Sequence, residues 1–208
     1  MPVWQRQEIQ AVPRPASLDT DGLLTAAPRR FQTDRLLLEA PRVEHAQAFA
    51  DLLNASVGSW SFINWGLVPR DLVWAHAFCL HGAELVDAGK DLIFNVFDPN
   101  TGACIGRIDL HSFDFEAPRC EIGYVGDPRV SGQGLMREAV LAVIKLGFSL
   151  GLARIEAFSD VHNHRALHFA QGLGFEREGV VRHRERNPQG ELCSQVMMAV
   201  FPPPRSPG

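Results

Sequence analysis

The residues with the clearest chemistry run from Glu121 to Met136, in the order Glu-Ile-Gly-Tyr-Val-Gly-Asp-Pro-Arg-Val-Ser-Gly-Gln-Gly-Leu-Met. A strand leads up to Pro128, which cannot extend a hydrogen-bonded ladder, and a glycine-bearing turn then feeds a helix. The first turn of such a helix has backbone N–H groups without intrahelical partners and the positive end of the helix dipole, so it attracts an anion. Gly132 and Gly134 permit close backbone approach and positive φ, and Arg129 adds a fixed positive charge. This spacing serves phosphate binding. Groups able to move a proton lie close by in sequence: Glu121 on the strand, Asp109 on the strand before it, and Tyr124, the chain's only tyrosine. His162, His164 and His168 form a second cluster. With no carboxylate or cysteine in step they read as lining a ligand mouth or facing water, not as holding a metal.

Three phosphate-binding patterns compete for the turn. A P-loop requires Gly-Lys-Ser/Thr, and here Leu135 and Met136 follow the glycine. A dinucleotide fingerprint requires a third glycine where this chain has Arg137, although Glu156 lies near the distance expected of a ribose-binding carboxylate. That reading stays open beside a tight turn that binds nothing.

The elements that must position these residues follow from periodicity. A leucine run from Arg35 to Glu39 suits a buried strand, and Val43, Ala46, Phe49, Ala50 and Leu53 recur at helical spacing. Residues 55–70 read as an aromatic-rich loop, and a second helix is predicted over 70–88. Strands are predicted over 91–97 and 103–111, joined by the turn-rich Asp98-Pro99-Asn100-Thr101-Gly102, and a third over 119–126. Then come a helix from about 134 to 150, a strand over 154–159, a short helix over 164–172, and a closing hairpin of 179–186 with 191–201. This order predicts an α/β (α+β) fold with a mixed sheet covered by helices, not a regular βαβ alternation. Residues 1–30 read as a flexible N-terminal extension, 31–201 as the domain, and 202–208 as a proline-rich tail.

Composition narrows the function classes. The 208 residues, 46% hydrophobic and 21% charged, suit one soluble globular domain. A formal charge of −4 argues against a nucleic-acid partner. The four scattered cysteines lack zinc-site or disulfide-framework spacing, and neither a signal peptide nor a membrane-length apolar run is evident. The expected location is cytoplasmic, with no membrane partner and room for a homodimer.

Arg129-Val130-Ser131-Gly132-Gln133-Gly134 resembles the Arg/Gln-x-x-Gly-x-Gly/Ala signature of the GNAT superfamily of acyl-CoA N-acyltransferases. Asp160 to Ala166 and Gly172 to Gly179 are similar to its Asn-containing turn, short helix and LGF-x-x-EG segment. Ile105-Gly106-Arg107-Ile108 and Glu121-Ile122-Gly123-Tyr124 are similar to the Rim-type branch, which contains ribosomal-protein N-terminal acetyltransferases. The resemblance covers roughly residues 31–201. It implies a splayed central β-sheet and acetyl-CoA as cosubstrate, with no metal. The pantetheine arm would lie beside Val125 and Gly126. The phosphates would lie against Arg129, Val130, Ser131, Gly132, Gln133, Gly134, Leu135 and Met136. Asn163 would bond the pantetheine amide region, and also suits a helix N-cap.

The implied reaction moves an acetyl group directly to a primary amine. A protein or peptide α-amino group is the favoured acceptor, and a small-molecule amine such as an antibiotic or polyamine is the alternative. Deprotonating an α-amine at neutral pH costs roughly 1 kcal/mol and a lysine roughly 4–5 kcal/mol, so a site without a strong base suits the former. Glu121 would relay the proton through water, and Tyr124 is the other catalytic candidate. The superfamily's usual acid positions fall on Ala166 and Ala170. Those departures keep a non-catalytic acyl-CoA-binding module in view as a rival.

Overall fold

The computed structural model describes residues 22–203. Most of the expected extension and of the expected tail therefore lies outside the described residues. Within the segment read as an extension, Leu24 and Ala27 are buried in the core.

Among the described residues eight strands form one sheet: β1 (Arg30–Gln32), β2 (Leu37–Glu39), β3 (Leu92–Phe97), β4 (Cys104–Asp114), β5 (Arg119–Gly126), β6 (Arg154–Asp160), β7 (Glu176–Arg186) and β8 (Leu192–Val200). Their order across the sheet is β1-β2-β3-β4-β5-β6-β8-β7. Four α-helices among these residues cover it: α1 (Ala46–Ser56), α2 (Leu72–Asp87), α3 (Leu135–Ser149) and α4 (His164–Gly172). All pairings are antiparallel except β5 with β6, which the α3 crossover makes parallel.

Side-chain alternation on β4 and β5 sorts the two faces. Ile108 and Leu110 on β4, and Ile122 on β5, join the core formed with Ala139, Val140, Val143 and Ile144 of α3. Gly147 lets that helix press onto β6, since a Cβ there would lie 2.9 Å from Ile155 Cδ1. The opposite face carries Arg107, Asp109 and His111 on β4, in register with Val125, Gly123 and Glu121 on β5. Above it α1 and α2 supply a second core around Phe49, Leu52, Leu53, Ala75 and Cys79.

Two differences from the sequence reading concern edges. β1 is only three residues long and its Phe31 is the side chain packed against the core, too short a stretch for a period of two to show. β7 begins at Glu176, three residues before the expected start, because its mostly exposed side chains show no apolar alternation.

Candidate active site

β5 and β6 pair at three positions only, Arg119 with Arg154, Cys120 with Ile155 and Glu121 with Glu156. Beyond Glu121 the strands part. β6 stays paired with β8 through Asp160, while Ile122 to Gly126 of β5 have no strand partner on that side. The result is a wedge between two parallel strands, with free backbone groups along its β5 wall.

At the mouth of the wedge lies the glycine turn. Asp127 caps a short 3-10 turn over Pro128–Val130, and its carboxylate grips Arg129 through Nε at 2.9 and 3.0 Å and Nη2 at 2.6 Å. The charge expected to serve a phosphate is therefore largely spent on Asp127. Gly132 and Gly134 take φ of +83° and +74°, the left-handed region that costs other residues about 1–2 kcal/mol. Gly134 is the N-cap of α3 and supplies no side-chain cap, so the first N–H groups of a 15-residue helix stay open to an anion.

Leu135 and Met136 have a packing role here. Met136 lies over the register pair Gly106 and Gly126, close to where a Cβ on either glycine would stand, and at Gly126 that Cβ would be 2.6 Å from Met136 Cγ. The two glycines thus seat the N-terminus of α3 over the wedge, and Leu135 packs on the same core. Trp60 closes the end of β5 by donating from Nε1 to the Gly126 carbonyl at 3.1 Å.

Three arginines not singled out as site residues in the sequence surround the turn. Arg165 on α4 donates to Ser131 Oγ at 2.9 Å, and Arg137 on α3 donates to the Gly172 carbonyl at 3.3 Å. Neither has a carboxylate within ion-pair distance among the described residues. Arg35 donates to the Gln133 carbonyl at 3.1 Å and pairs with Glu138 at 2.7 Å. Arg165 sits two residues beyond Asn163 and Arg137 three beyond Gly134, a signal available in the spacing. Asn163 caps α4 by accepting from the Ala166 N–H at 3.2 Å, and its side-chain amide N–H groups stay available to a ligand.

On the α1/α2 face of the wedge is a cavity of about 350 Å³ with walls including Trp65, Arg107, Asp109, Glu121, Val125 and Phe158. Trp65 belongs to a run of rings: Trp60 lies 5.5 Å from it, Phe78 5.2 Å, and Trp74 stacks on Phe78 at 4.8 Å. The loop tryptophans therefore staple the helices and also give the cavity one apolar wall.

Proton-handling groups line the opposite wall. Both oxygens of Glu121 accept from Arg184 Nη2, at 3.2 and 3.1 Å. Arg184 reaches inward from β7, where a register shift between Val181 and Glu185 with His183 at φ +53° reshapes the strand, and lies over the Phe158 ring at 3.5 Å. Asp109 lies opposite Gly123, whose missing side chain makes room for its carboxylate; a Cβ there would stand 2.9 Å away. Its nearest ionic partner is His111 Nε2 at 3.5 Å. Burial raises the Asp109 pKa, and His111 and Arg107 pull it only partly back.

Tyr124 points to the other face, its ring 5.2 Å from Phe169 of α4. Burial raises its pKa, so the phenol stays protonated at neutral pH. Ala170 is buried in the core. His162, His164 and His168 are exposed, and among the described residues no three His, Cys, Asp or Glu side chains converge on a metal-sized site. No helix among the described residues is long and apolar enough to cross a membrane.

An open strand edge thus leads to an uncapped helix N-terminus, with a carboxylate-lined cavity on the far side, an arrangement suited to an extended ligand that carries an anionic group. Residues 35–176 match the acetyltransferase (GNAT) domain profile, and the chain belongs to that family of acetyltransferases. It is 33% identical over 109 residues to the uncharacterized N-acetyltransferase p20 of Bacillus licheniformis, covering 52% of this chain and 61% of that protein. It is 30% identical over 129 residues to the ribosomal protein uS5-alanine N-acetyltransferase of Escherichia coli K12, covering 60% and 65%. The chain thus spans less than two thirds of either relative. In fold it is similar to the microcin C7 self-immunity acetyltransferase MccE, solved with acetyl-CoA and AMP, at a TM-score of 0.77 and 19% identity over 86% of this chain and 99% of that one.

Proposed function

We propose that this chain transfers the acetyl group of acetyl-CoA to the α-amino group of a protein or peptide. One observation carries the reading: the β5–β6 wedge opens at Glu121 with an uncapped helix N-terminus at its mouth and a carboxylate-lined cavity on its α1/α2 face. The residues fit the cofactor. The open N–H groups at the start of α3, with Arg137 and Arg165, hold the phosphates, the free edge of β5 up to Val125 and Gly126 holds the pantetheine, and Asn163 offers its amide from α4. Acetyl-CoA supplies the activated acyl group.

The amine enters from the cavity side. Asp109 is the better base of the two carboxylates, because its oxygens accept no hydrogen bond among the described residues whereas both Glu121 oxygens accept from Arg184. Glu121 and Arg184 shape the wall and hold water in line. On the other face the protonated Tyr124 phenol is available to donate a hydrogen bond to a leaving thiolate. A carboxylate base suits an α-amine, which needs only about 1 kcal/mol to deprotonate near neutral pH, better than a lysine. The relative acting on the alanine of a ribosomal protein points the same way.

The test is acetyl transfer followed by mass spectrometry, with a peptide bearing a free α-amine, the same peptide blocked at its N-terminus but carrying a lysine, and a polyamine offered side by side. Acetate on the α-amine alone supports the reading. Modification confined to the polyamine would replace it with small-amine acetylation.

A further inference from the structure

Arg107 lies in the middle of β4, on the face toward α1 and α2. Its guanidinium rests over Phe78 at 4.6 Å and Phe49 at 5.9 Å from the ring centroids, and the residue is 7% exposed. Among the described residues it makes no hydrogen bond and has no carboxylate within 4.0 Å, and its Nη1 is buried without a partner. Asn95, directly opposite in the β3–β4 register, leaves its own Oδ1 unpartnered and does not satisfy it. The ring faces recover part of the lost hydration, yet a buried cation without an acceptor remains expensive.

The other arginines of this region are paired: Arg184 with Glu121, Arg119 with Asp114 and Glu156, Arg154 with Glu156 and Glu178. Arg107 is the exception, and it lines the acceptor cavity. Asp109 follows it by two residues on the same face, about 7 Å along the strand. The cavity therefore holds an unpaired cation beside a carboxylate whose one ionic contact is His111 at 3.5 Å. A ligand that answers both has an ammonium group and a carboxylate about one residue apart.

We propose that the acceptor is an acidic peptide N-terminus, its α-amine at Asp109 and a side-chain carboxylate from its first or second residue on Arg107. The inference rests on the acetyltransferase reading and names its substrate class. Guanidinium suits this role because its planar fork meets a carboxylate through two parallel hydrogen bonds.

The experiment compares the amides of Ala-Asp-Ala-Ala and Ala-Asn-Ala-Ala, which differ in charge and hardly in shape, with free alanine and alaninamide beside them. Each is titrated calorimetrically into the protein with CoA present, and each is assayed separately for acetyl transfer. The aspartyl peptide is expected to bind about tenfold tighter than the asparaginyl one. Arg107→Met, which keeps an apolar chain over Phe78, is expected to bring that ratio close to one while acetyl-CoA still binds. Arg107→Lys is expected to keep part of it, which guards against a methionine variant that does not fold. Equal binding of the two peptides by the wild type, or a ratio that Arg107→Met leaves intact, overturns the proposal. So does a preference confined to free alanine over alaninamide, which would assign Arg107 to an α-carboxylate. Acetylation of both peptides alike keeps the reaction and removes the inference, whereas charge-selective, Arg107-dependent binding without transfer does the reverse.

Discussion

Both carboxylate oxygens of Glu121 accept from one nitrogen of Arg184, at 3.2 and 3.1 Å, at the point where β5 and β6 part. The pair braces the root of the wedge and engages the carboxylate that sequence alone favours as base. Glu121→Gln should therefore lower kcat by less than about tenfold, and Arg184→Ala should cost stability by leaving a largely buried carboxylate unpaired, on the order of 1–3 kcal/mol. Steady-state kinetics and denaturant melts check the two. A loss of several hundredfold in Glu121→Gln would return the base to that residue.

Asp109 is expected to show itself in the pH profile. Its folded pKa is raised by burial, so the acid limb of kcat/KM should lie above the ordinary carboxylate value, and Asp109→Asn should remove that limb and cost about a hundredfold or more in rate. The stability sign is opposite. A raised folded pKa means that the unfolded chain loses this proton first, so stability falls as pH rises from the unfolded carboxylate value through the folded one. Asp109→Asn is thus expected to melt at or above the wild-type temperature at pH 7 while losing activity. A variant that loses both would mark Asp109 as structural.

Two glycines near the turn should respond differently. Gly132 takes φ +83° with nothing within 4 Å of a new Cβ, so Gly132→Ala should cost only backbone strain, about 1 kcal/mol. Gly126→Val would drive a side chain into Met136 and lift the first turn of α3, so it should weaken acetyl-CoA binding more than Gly132→Ala does. Calorimetry on both variants compares them.

Thiol chemistry offers an independent check on burial. Cys104 and Cys120 are buried and their pKa values are pushed up to about 12 by desolvation, so both should resist a water-soluble disulfide reagent at neutral pH until the chain unfolds. Cys193, the half-buried one, should react first. Rapid labelling of Cys104 in native protein would contradict the packing of β4 beneath α1 and α2.

Much of the fold was legible because its central elements are strongly patterned. Val140, Val143 and Gly147 fall on the buried face of α3 as their spacing predicts, and β5 starts and stops at Arg119 and Gly126 as read. The turn was legible too, since Gly132 and Gly134 beside Gln133 signal positive φ, which both adopt. What failed to show were particular side-chain contacts, one local and the others between separate elements. Arg129 looks free in sequence, and only its folded position reveals the grip of Asp127 two residues away. Glu121 acquires Arg184 from a strand 63 residues downstream, a partnership no local pattern encodes. Arg107 was hidden for another reason: one charge within Ile105-Gly106-Arg107-Ile108 looks like an outward-facing residue, yet the helices above that face bury it.

The placement of acetyl-CoA on the α3 turn and the β5 edge underlies every prediction about the reaction. It is tested most directly by calorimetric titration of purified, cofactor-free protein with acetyl-CoA, with NAD as control and Gly134→Asp beside it. That variant places a strained, negatively charged side chain at the helix N-cap where the phosphates are to sit. Micromolar-range binding of acetyl-CoA by the wild type, lost in Gly134→Asp and not seen with NAD, is the predicted result. No binding by the folded wild type, or equal binding by the variant, would contradict it.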